Sequence, residues 1–280
     1  MDMYRTVKGL IPKRLRKTFR PVYARLALRG FDRPQSVEIK TYGFSIQLDP
    51  NNGAVDEYIY MHRNWETTIA AILEQKLERG GTFIDIGANI GYFSLEAATL
   101  VGEGGRVIAF EPLPFLAEQL RTSIQLNGFS NIDVRQLALG DSVGEQKIEL
   151  QRGNIGGSSL VKELDSGHFE TVKVARLDDE LAGIDRVDLI KIDVEGYEYE
   201  VLKGAQAVLQ KHQPTLVMEF SPNVYRRRDP NMARDILLLL VNAGYSLTDI
   251  DRNIAVTDVD EFLAGLGTEQ TNLLAVSKSG

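Results

Sequence analysis

Short apolar runs alternate with amphipathic stretches through most of the chain. Runs at residues 82–86, 106–110, 132–139, 187–192 and 215–220 are each long enough for one buried strand. Between them the apolar positions recur at helical spacing, at residues 92–100 and 114–126, where Gly128 supplies the stop. A further helix turns Val201, Leu202, Ala205, Val208 and Leu209 inward. A helix at 232–241 and strands at 245–250 and 273–276 finish the pattern. Apolar strands separated by helices predict a mostly parallel, seven-stranded sheet with helices on both faces, an α/β fold of the Rossmann-like kind.

Ahead of this core, Val37 and Ile39, then Phe44, Ile46 and Leu48, alternate around Tyr42-Gly43, which predicts a hairpin over 36–49. A helix is expected to follow, with Asn64 as N-cap, a buried stripe of Trp65, Ile69, Ile72, Leu73 and Leu77, and an end at Gly80-Gly81. Residues 143–177 break the rhythm and read as a β-rich insertion around Gly153–Ser159, placed to lie over a ligand crevice. The organisation expected is a helical extension at 1–35 and one domain at 36–280. That domain comprises hairpin and helix to residue 80, then the core with its insertion.

Charge divides the chain in two. Residues 1–30 hold nine basic side chains and one acid, net +8, which leaves −15 on the other 250 residues. An acidic body argues against nucleic acid as a partner. The basic head is amphipathic, with Ile11, Leu15, Phe19, Val22 and Leu26 on one stripe. Such a helix either packs its stripe on the domain or lies on an anionic membrane surface. No secretory signal or spanning segment is read, so a cytoplasmic site, peripheral to the inner membrane surface at most, is the expectation. The absence of cysteine excludes disulfides, thiolate metal sites and a cysteine nucleophile.

The strongest chemical signal is Phe83-Ile84-Asp85-Ile86-Gly87-Ala88-Asn89-Ile90-Gly91-Tyr92. A strand enters a glycine turn and then a helix, the place where open α/β sheets bind nucleotide-like ligands. Gly87 and Gly91 are expected to permit the turn and a close ligand approach. A dinucleotide prefers three glycines in G-x-G-x-x-G; here only two stand, four residues apart. Asp85 is adverse to a pyrophosphate and suits a cation, which favours S-adenosylmethionine (SAM). Glu111-Pro112 ends the second strand, where an acid can accept both hydroxyls of an adenosine ribose.

At the fourth strand's end, Lys191-Ile192-Asp193-Val194-Glu195-Gly196 places Asp193 and Glu195 on one side if the strand continues. Asp193 is the leading orienter or base for an acceptor hydroxyl, with Glu195 next. A helix-capping role is the alternative and suits Glu195 better. Glu219 ends the fifth strand and joins them as a third catalytic candidate. A divalent ion such as magnesium between these acids is the less favoured reading, and no metal site is assigned. Lys191 reads as a paired structural charge. His168 is a possible base in the insertion, while His62 and His212 read as surface residues. Arg226-Arg227-Arg228 reads as a solvated loop, or as a holder of an anionic acceptor.

These motifs resemble the FkbM family of methyltransferases. The matching pieces are Trp65-Glu66, the run from Thr82 to Ser94, Val107–Pro112, Leu126-Asn127-Gly128, Ala138-Leu139-Gly140-Asp141, Val187–Gly196 and Glu200–Ala205. The likeness covers about residues 55–222 and implies the class I methyltransferase version of the fold, with SAM as cofactor. It also implies methyl transfer to oxygen on a sugar, a lipid-linked glycan or a natural-product scaffold. Carried onto the matching motifs, the cofactor contacts are Asp85, Gly87, Ala88, Asn89, Gly91, Tyr92, Glu111, Pro112, Ala138 and Asp193. A nicotinamide-dependent oxidoreductase and a non-catalytic SAM-binding module are the competing readings. Removal of residues 1–30 tests the membrane reading: the truncated protein should leave the membrane fraction of a cell lysate, and unchanged fractionation discards it.

Overall fold

The computed structural model describes residues 28, 30–150 and 169–278. The basic helix expected within 1–30, the glycine-rich centre of the insertion and His168 lie outside the described residues. Strands β1 (Gln35–Ile39) and β2 (Phe44–Leu48) form the expected hairpin, with Val37 opposite Ile46. The apolar side chains of both strands are buried.

Two helices follow, where one was expected. Helix α1 (Ala54–His62) had no clear apolar spacing to announce it. Helix α2 (Thr67–Lys76) starts later than Asn64, and its N-cap is Glu66, held at φ 31°. No side chain caps it. Leu77 is extended and ends the helix before the glycine pair is reached.

The core runs β3 (Thr82–Ile86), α3 (Tyr92–Val101), β4 (Arg106–Phe110), α4 (Pro114–Asn127) and β5 (Ile132–Arg135). Proline at the first position starts α4, and Gly128 at φ 65° stops it by donating to the Gln125 and Ile124 carbonyls. The third strand is shorter than expected. The chain leaves the sheet after Arg135, and β6 (Ala138–Leu139) pairs instead with β8 (Phe169–Ala175), which pairs with β7 (Gly144–Glu149). The insertion is therefore a separate three-stranded sheet in its described part. A short helix, α5 (Leu177–Glu180), leads back to β9 (Leu189–Ile192).

After β9 come α6 (Glu198–Lys203), α7 (Gln206–His212), β10 (Thr215–Phe220), α8 (Pro222–Arg228) and α9 (Met232–Asn242). The single helix expected after β9 is broken in two, although its predicted inward residues are all buried. Arg226–Arg228 belong to α8 and are not a loop. Strands β11 (Tyr245–Asp249) and β12 (Ile254–Ala255), helix α10 (Val259–Leu266) and strand β13 (Thr271–Ser277) complete the chain. The sheet order is β12-β11-β13-β10-β9-β3-β4-β5. Strands β5, β4, β3, β9 and β10 are parallel neighbours, and β13 inserts antiparallel between β10 and β11. These are the seven strands expected, plus the two-residue β12 at one edge.

Alternate residues feed two apolar cores. Phe83, Val107, Ala109, Leu189 and Val217 pack toward the hairpin, α2 and α3. Ile84, Ile108, Ile190, Leu216 and Phe220 pack toward α6, α7 and α9. The hairpin is tied to the core by polar groups of α4. Asn127 Oδ1 and Ser123 Oγ accept from the amides of Ser45 and Gln47 at 2.7 and 2.9 Å, and Gln119 Nε2 donates to the Gln47 carbonyl at 2.8 Å. The open edge of β2 is thereby satisfied.

Two glycines hold the turn after β3, and the protein's own packing requires both. Gly87 (φ 76°) passes so near the neighbouring strand end that a Cβ would sit 1.9 Å from the Asp193 carbonyl oxygen. At Gly91 (φ 87°) a Cβ would meet Leu120 Cδ1 at 2.1 Å. The expected turn is present, and the close partners are the protein's own strand and helix. Gly87→Ala should lower stability by roughly 2–4 kcal/mol, read as a lower denaturant midpoint.

Glu96 of α3 is fully buried, and neither carboxylate oxygen has a hydrogen-bond partner. Burial, with Glu74 nearby, pushes its pKa up to about 8. The raised value means the fold favours the protonated acid. Its contribution is full below the unfolded pKa of about 4.3 and is lost as pH climbs toward 8. Glu96→Gln should therefore raise the melting temperature by several degrees at pH 8 and little at pH 5.

Candidate functional site

The site lies at the carboxyl ends of β4, β3, β9 and β10. A cleft of about 630 Å³, open to solvent at its mouth, is lined there by Gly87, Asn89, Glu111, Pro112, Ala138, Asp193 and Glu195. Its apolar wall includes Phe110, Leu116, Leu137, Leu139 and Ile148. Ile148 comes from β7, so the insertion does border the crevice, as its position suggested. Leu137 and Leu139 follow the turn out of β5, where the break in that strand was not legible.

One side of the cleft is built on β4. The amides of Gly87 and Ala88 donate to the Phe110 carbonyl, each at 3.0 Å, and draw the β3–α3 turn onto the strand end. Glu111 follows directly and is 4% exposed. Its Oε2 accepts from the Asn89 amide at 2.8 Å and its Oε1 from the Leu113 amide at 2.9 Å. Asn89 holds a left-handed φ of 53°, a conformation asparagine tolerates, which turns its amide toward Glu111. Burial pushes the Glu111 pKa up to about 7, against the pull of these two amides. Each oxygen keeps a lone pair for a donor in the cleft.

The other side gathers carboxylates. Oxygens of Asp193, Glu195 and Glu219 lie within 4.8 Å of one another. The reason differs from the one expected. Strand β9 stops at Ile192, and Glu195 (φ 53°) and Gly196 (φ 99°) turn the chain sharply. A turn, not a continuing strand, brings Asp193 and Glu195 together. The turn is braced by Glu198, fully buried, whose Oε1 accepts from the Val194 and Gly196 amides at 3.2 and 3.1 Å. The helix that follows has Tyr197 as its N-cap and no side-chain cap, so the helix-capping alternative for these acids is not seen there.

Crowding sets the charge of this cluster. Burial and the nearby Asp193 push the Glu195 pKa up to about 8. Burial, then Asp193 and Glu195, hold the Glu219 carboxyl far above the usual range, although Ser221 Oγ donates to its Oε1 at 2.7 Å. Near pH 7 these two groups are protonated and can donate hydrogen bonds as well as accept them.

Four of the expected cofactor positions do not line the cleft. Ala88, Gly91 and Tyr92 face the helices and core around the turn. Asp85 is fully buried on the opposite face of β3 from Ile86. Its Oδ2 accepts from Ser94 Oγ at 2.6 Å, and its Oδ1 faces Lys191 Nζ at 3.6 Å. Lys191 is the paired charge that was expected, but its partners are site residues: Nζ also lies 3.3 Å from Asp193 Oδ2. Glu66 completes the surroundings, with Asp193 and Lys191 as its charged neighbours. The motif Trp65-Glu66 was the available signal, without a role to attach to it.

The remaining candidates fall elsewhere. His62 ends α1 with its ring 4.3 Å from Tyr58, and His212 ends α7. Arg228 is committed to structure: it donates to the Gly196 carbonyl at 2.5 Å, pairs with Glu200 at 2.5 Å and covers the Tyr197 ring. Arg226 and Arg227 are exposed. Among the described residues no helix is long and apolar enough to cross a membrane.

Comparison with known proteins places this arrangement in a family. The model of the methyltransferase FkbM domain matches residues 85–247, more than half of the chain. The methyltransferase sdnD of Sordaria araneosa is 31% identical over 153 residues, 43% of this chain and 59% of that protein, so the match spans under two thirds of that relative. The hexuronic acid methyltransferase AglP of Haloferax volcanii is 27% identical over 190 residues, 67% of this chain and 74% of that protein. Among solved structures, a methyltransferase FkbM from Methylobacillus flagellatus is 18% identical and superposes with a TM-score of 0.45 over 80% of this chain and 56% of its own. With its cleft between β4 and β9 and the family's motifs at both walls, the chain belongs to the FkbM methyltransferase domain family.

Proposed function

We propose that this protein is a SAM-dependent O-methyltransferase acting on a hydroxyl of a sugar, a lipid-linked glycan or a natural-product scaffold. The observation that carries the reading is Glu111. It is a buried carboxylate at the end of β4, fixed by two backbone amides, with lone pairs left for a ribose diol in the cleft. Gly87, Asn89, Pro112, Leu113 and Ala138 would hold the rest of the cofactor, which fits a cleft that is apolar on one wall and acidic on the other. Asp85 would act from behind, through Lys191, since its side chain does not reach the cleft. When bound, SAM supplies an electrophilic methyl group on a sulfonium.

The chain's own residues then have separable tasks. Asp193, beside Lys191, is placed to accept a hydrogen bond from an acceptor hydroxyl, orient its oxygen and take its proton. Glu195 and Glu219, protonated near pH 7, are suited to hold neighbouring hydroxyls. Sugars and polyols present such adjacent hydroxyls, and the Haloferax relative is named for a sugar acid. A hydroxyl acceptor is favoured over a divalent ion at the three carboxylates because Lys191 already supplies a positive charge to Asp193.

Calorimetric titration with SAM, S-adenosylhomocysteine (SAH) and NAD tests the cofactor. SAM and SAH should bind in the micromolar range, and Glu111→Ala should weaken both at least tenfold. Binding of NAD in their place would sink the reading. Because the ionised Glu111 is the better acceptor and its pKa lies near 7, SAH affinity should rise about tenfold between pH 6 and pH 8. Glu111→Gln should flatten that rise. For the reacting end, Asp193→Asn should lower kcat at least a hundredfold on any accepted glycan, with a much smaller effect on SAH affinity.

A further inference from the structure

Lys191 does not line the cleft, yet three parts of the site meet on it. It lies in the middle of the sheet, directly beside Asp85 of β3 on one side and Val217 of β10 on the other. The residue is 4% exposed. Its ammonium donates to the Gly87 carbonyl at 3.1 Å, and lies 3.3 Å from Asp193 Oδ2 and 3.6 Å from Asp85 Oδ1. An ammonium has three donors, and three oxygens surround this one. The ring of Phe93, from α3, covers it at 5.6 Å. Glu66, ahead of α2, Glu111, after β4, and Glu195 are further acids within its electrostatic reach. Burial alone would lower the Lys191 pKa; Asp193, Asp85 and Glu66 outweigh burial and raise it, so the group is a cation throughout the working range.

Each of the three oxygens belongs to a different part. Gly87 is the first residue of the turn that borders the cleft. Asp193 is the proposed orienter of the acceptor. Asp85 is inside the sheet and anchors the other end of the same turn through Ser94 of α3. The geometry points to Lys191 as a positioning residue that fixes the Gly87 turn and the Asp193 carboxylate relative to each other, so that cofactor and acceptor are held in one frame. This rests on the methyltransferase reading of the cleft.

The rival explanation is purely structural: Lys191 would serve only to neutralise the buried Asp85. A double-mutant cycle separates the two. SAH is titrated into wild type, Asp85→Asn, Lys191→Met and the Asp85→Asn/Lys191→Met pair, with thermal unfolding of each. Lys191→Met alone leaves two carboxylates short of a partner and is expected to melt lowest. The pair removes the uncompensated Asp85 charge and should recover most of that loss. If Lys191 positions the turn, adding Lys191→Met to Asp85→Asn still costs at least tenfold in SAH affinity. A change under twofold overturns the proposal. Failure of wild type itself to bind SAH overturns the cofactor reading instead, and this inference falls with it.

Discussion

The approach of two parallel strand ends is the constraint on which the site depends. Strand β3 and strand β9 run side by side in register, and the turn leaving β3 passes against the Asp193 carbonyl with no room for a Cβ. That contact brings the cofactor-side turn and the proposed acceptor-side carboxylate into one small volume. It also forces Asp85 and Lys191 to face each other in the interior, because direct neighbours in a sheet share a face. A buried ion pair of this kind contributes little net stability, but removal of either partner leaves a charge that water cannot reach. Its value here is geometric: the pair cannot slip without exposing a charge to the apolar core.

The same burial explains the protonation of the site. Carboxylates collected at the ends of two adjacent strands, β9 and β10, cannot all ionise in a poorly solvated place. Glu195 and Glu219 rise out of the ordinary carboxylate range, while Lys191 supports Asp193. A single lysine among several acids thus divides them into one set that accepts and one that can donate. That division suits recognition of a polyhydroxylated acceptor, in which one oxygen must lose its proton and its neighbours must be held.

The hairpin and the insertion are fitted around this centre in different ways. The hairpin is joined by side chains of α4 that satisfy the edge of β2, so its position is set by polar pairing as much as by apolar packing. Glu66, at the start of α2, lies in the surroundings of Asp193. The insertion contributes an apolar wall through Ile148.

Sequence alone was enough for the order of strands and helices in the core, for the glycine turn, and for acids at the strand ends, of which Glu111 and Asp193 line the cleft. Period and turn chemistry are local properties, and strands β3, β4 and β10 fall at the expected residues for that reason. It misplaced what depends on distant neighbours. The third strand breaks at Arg135 because β6 finds its partner in β8, more than thirty residues on. Gly87 and Gly91 have a reason to be glycine that no local pattern shows: Asp193 and Leu120 occupy the space a side chain would need. Asp85 reads as a cofactor contact from its place in the motif, yet the pleat turns it into the sheet toward Lys191. Glu198, from the following helix, braces the turn through the Val194 and Gly196 amides, which spacing alone did not announce. Which residues carry charge is written in the chain; which of those charges meet, and away from water, only the packing of the sheet decides.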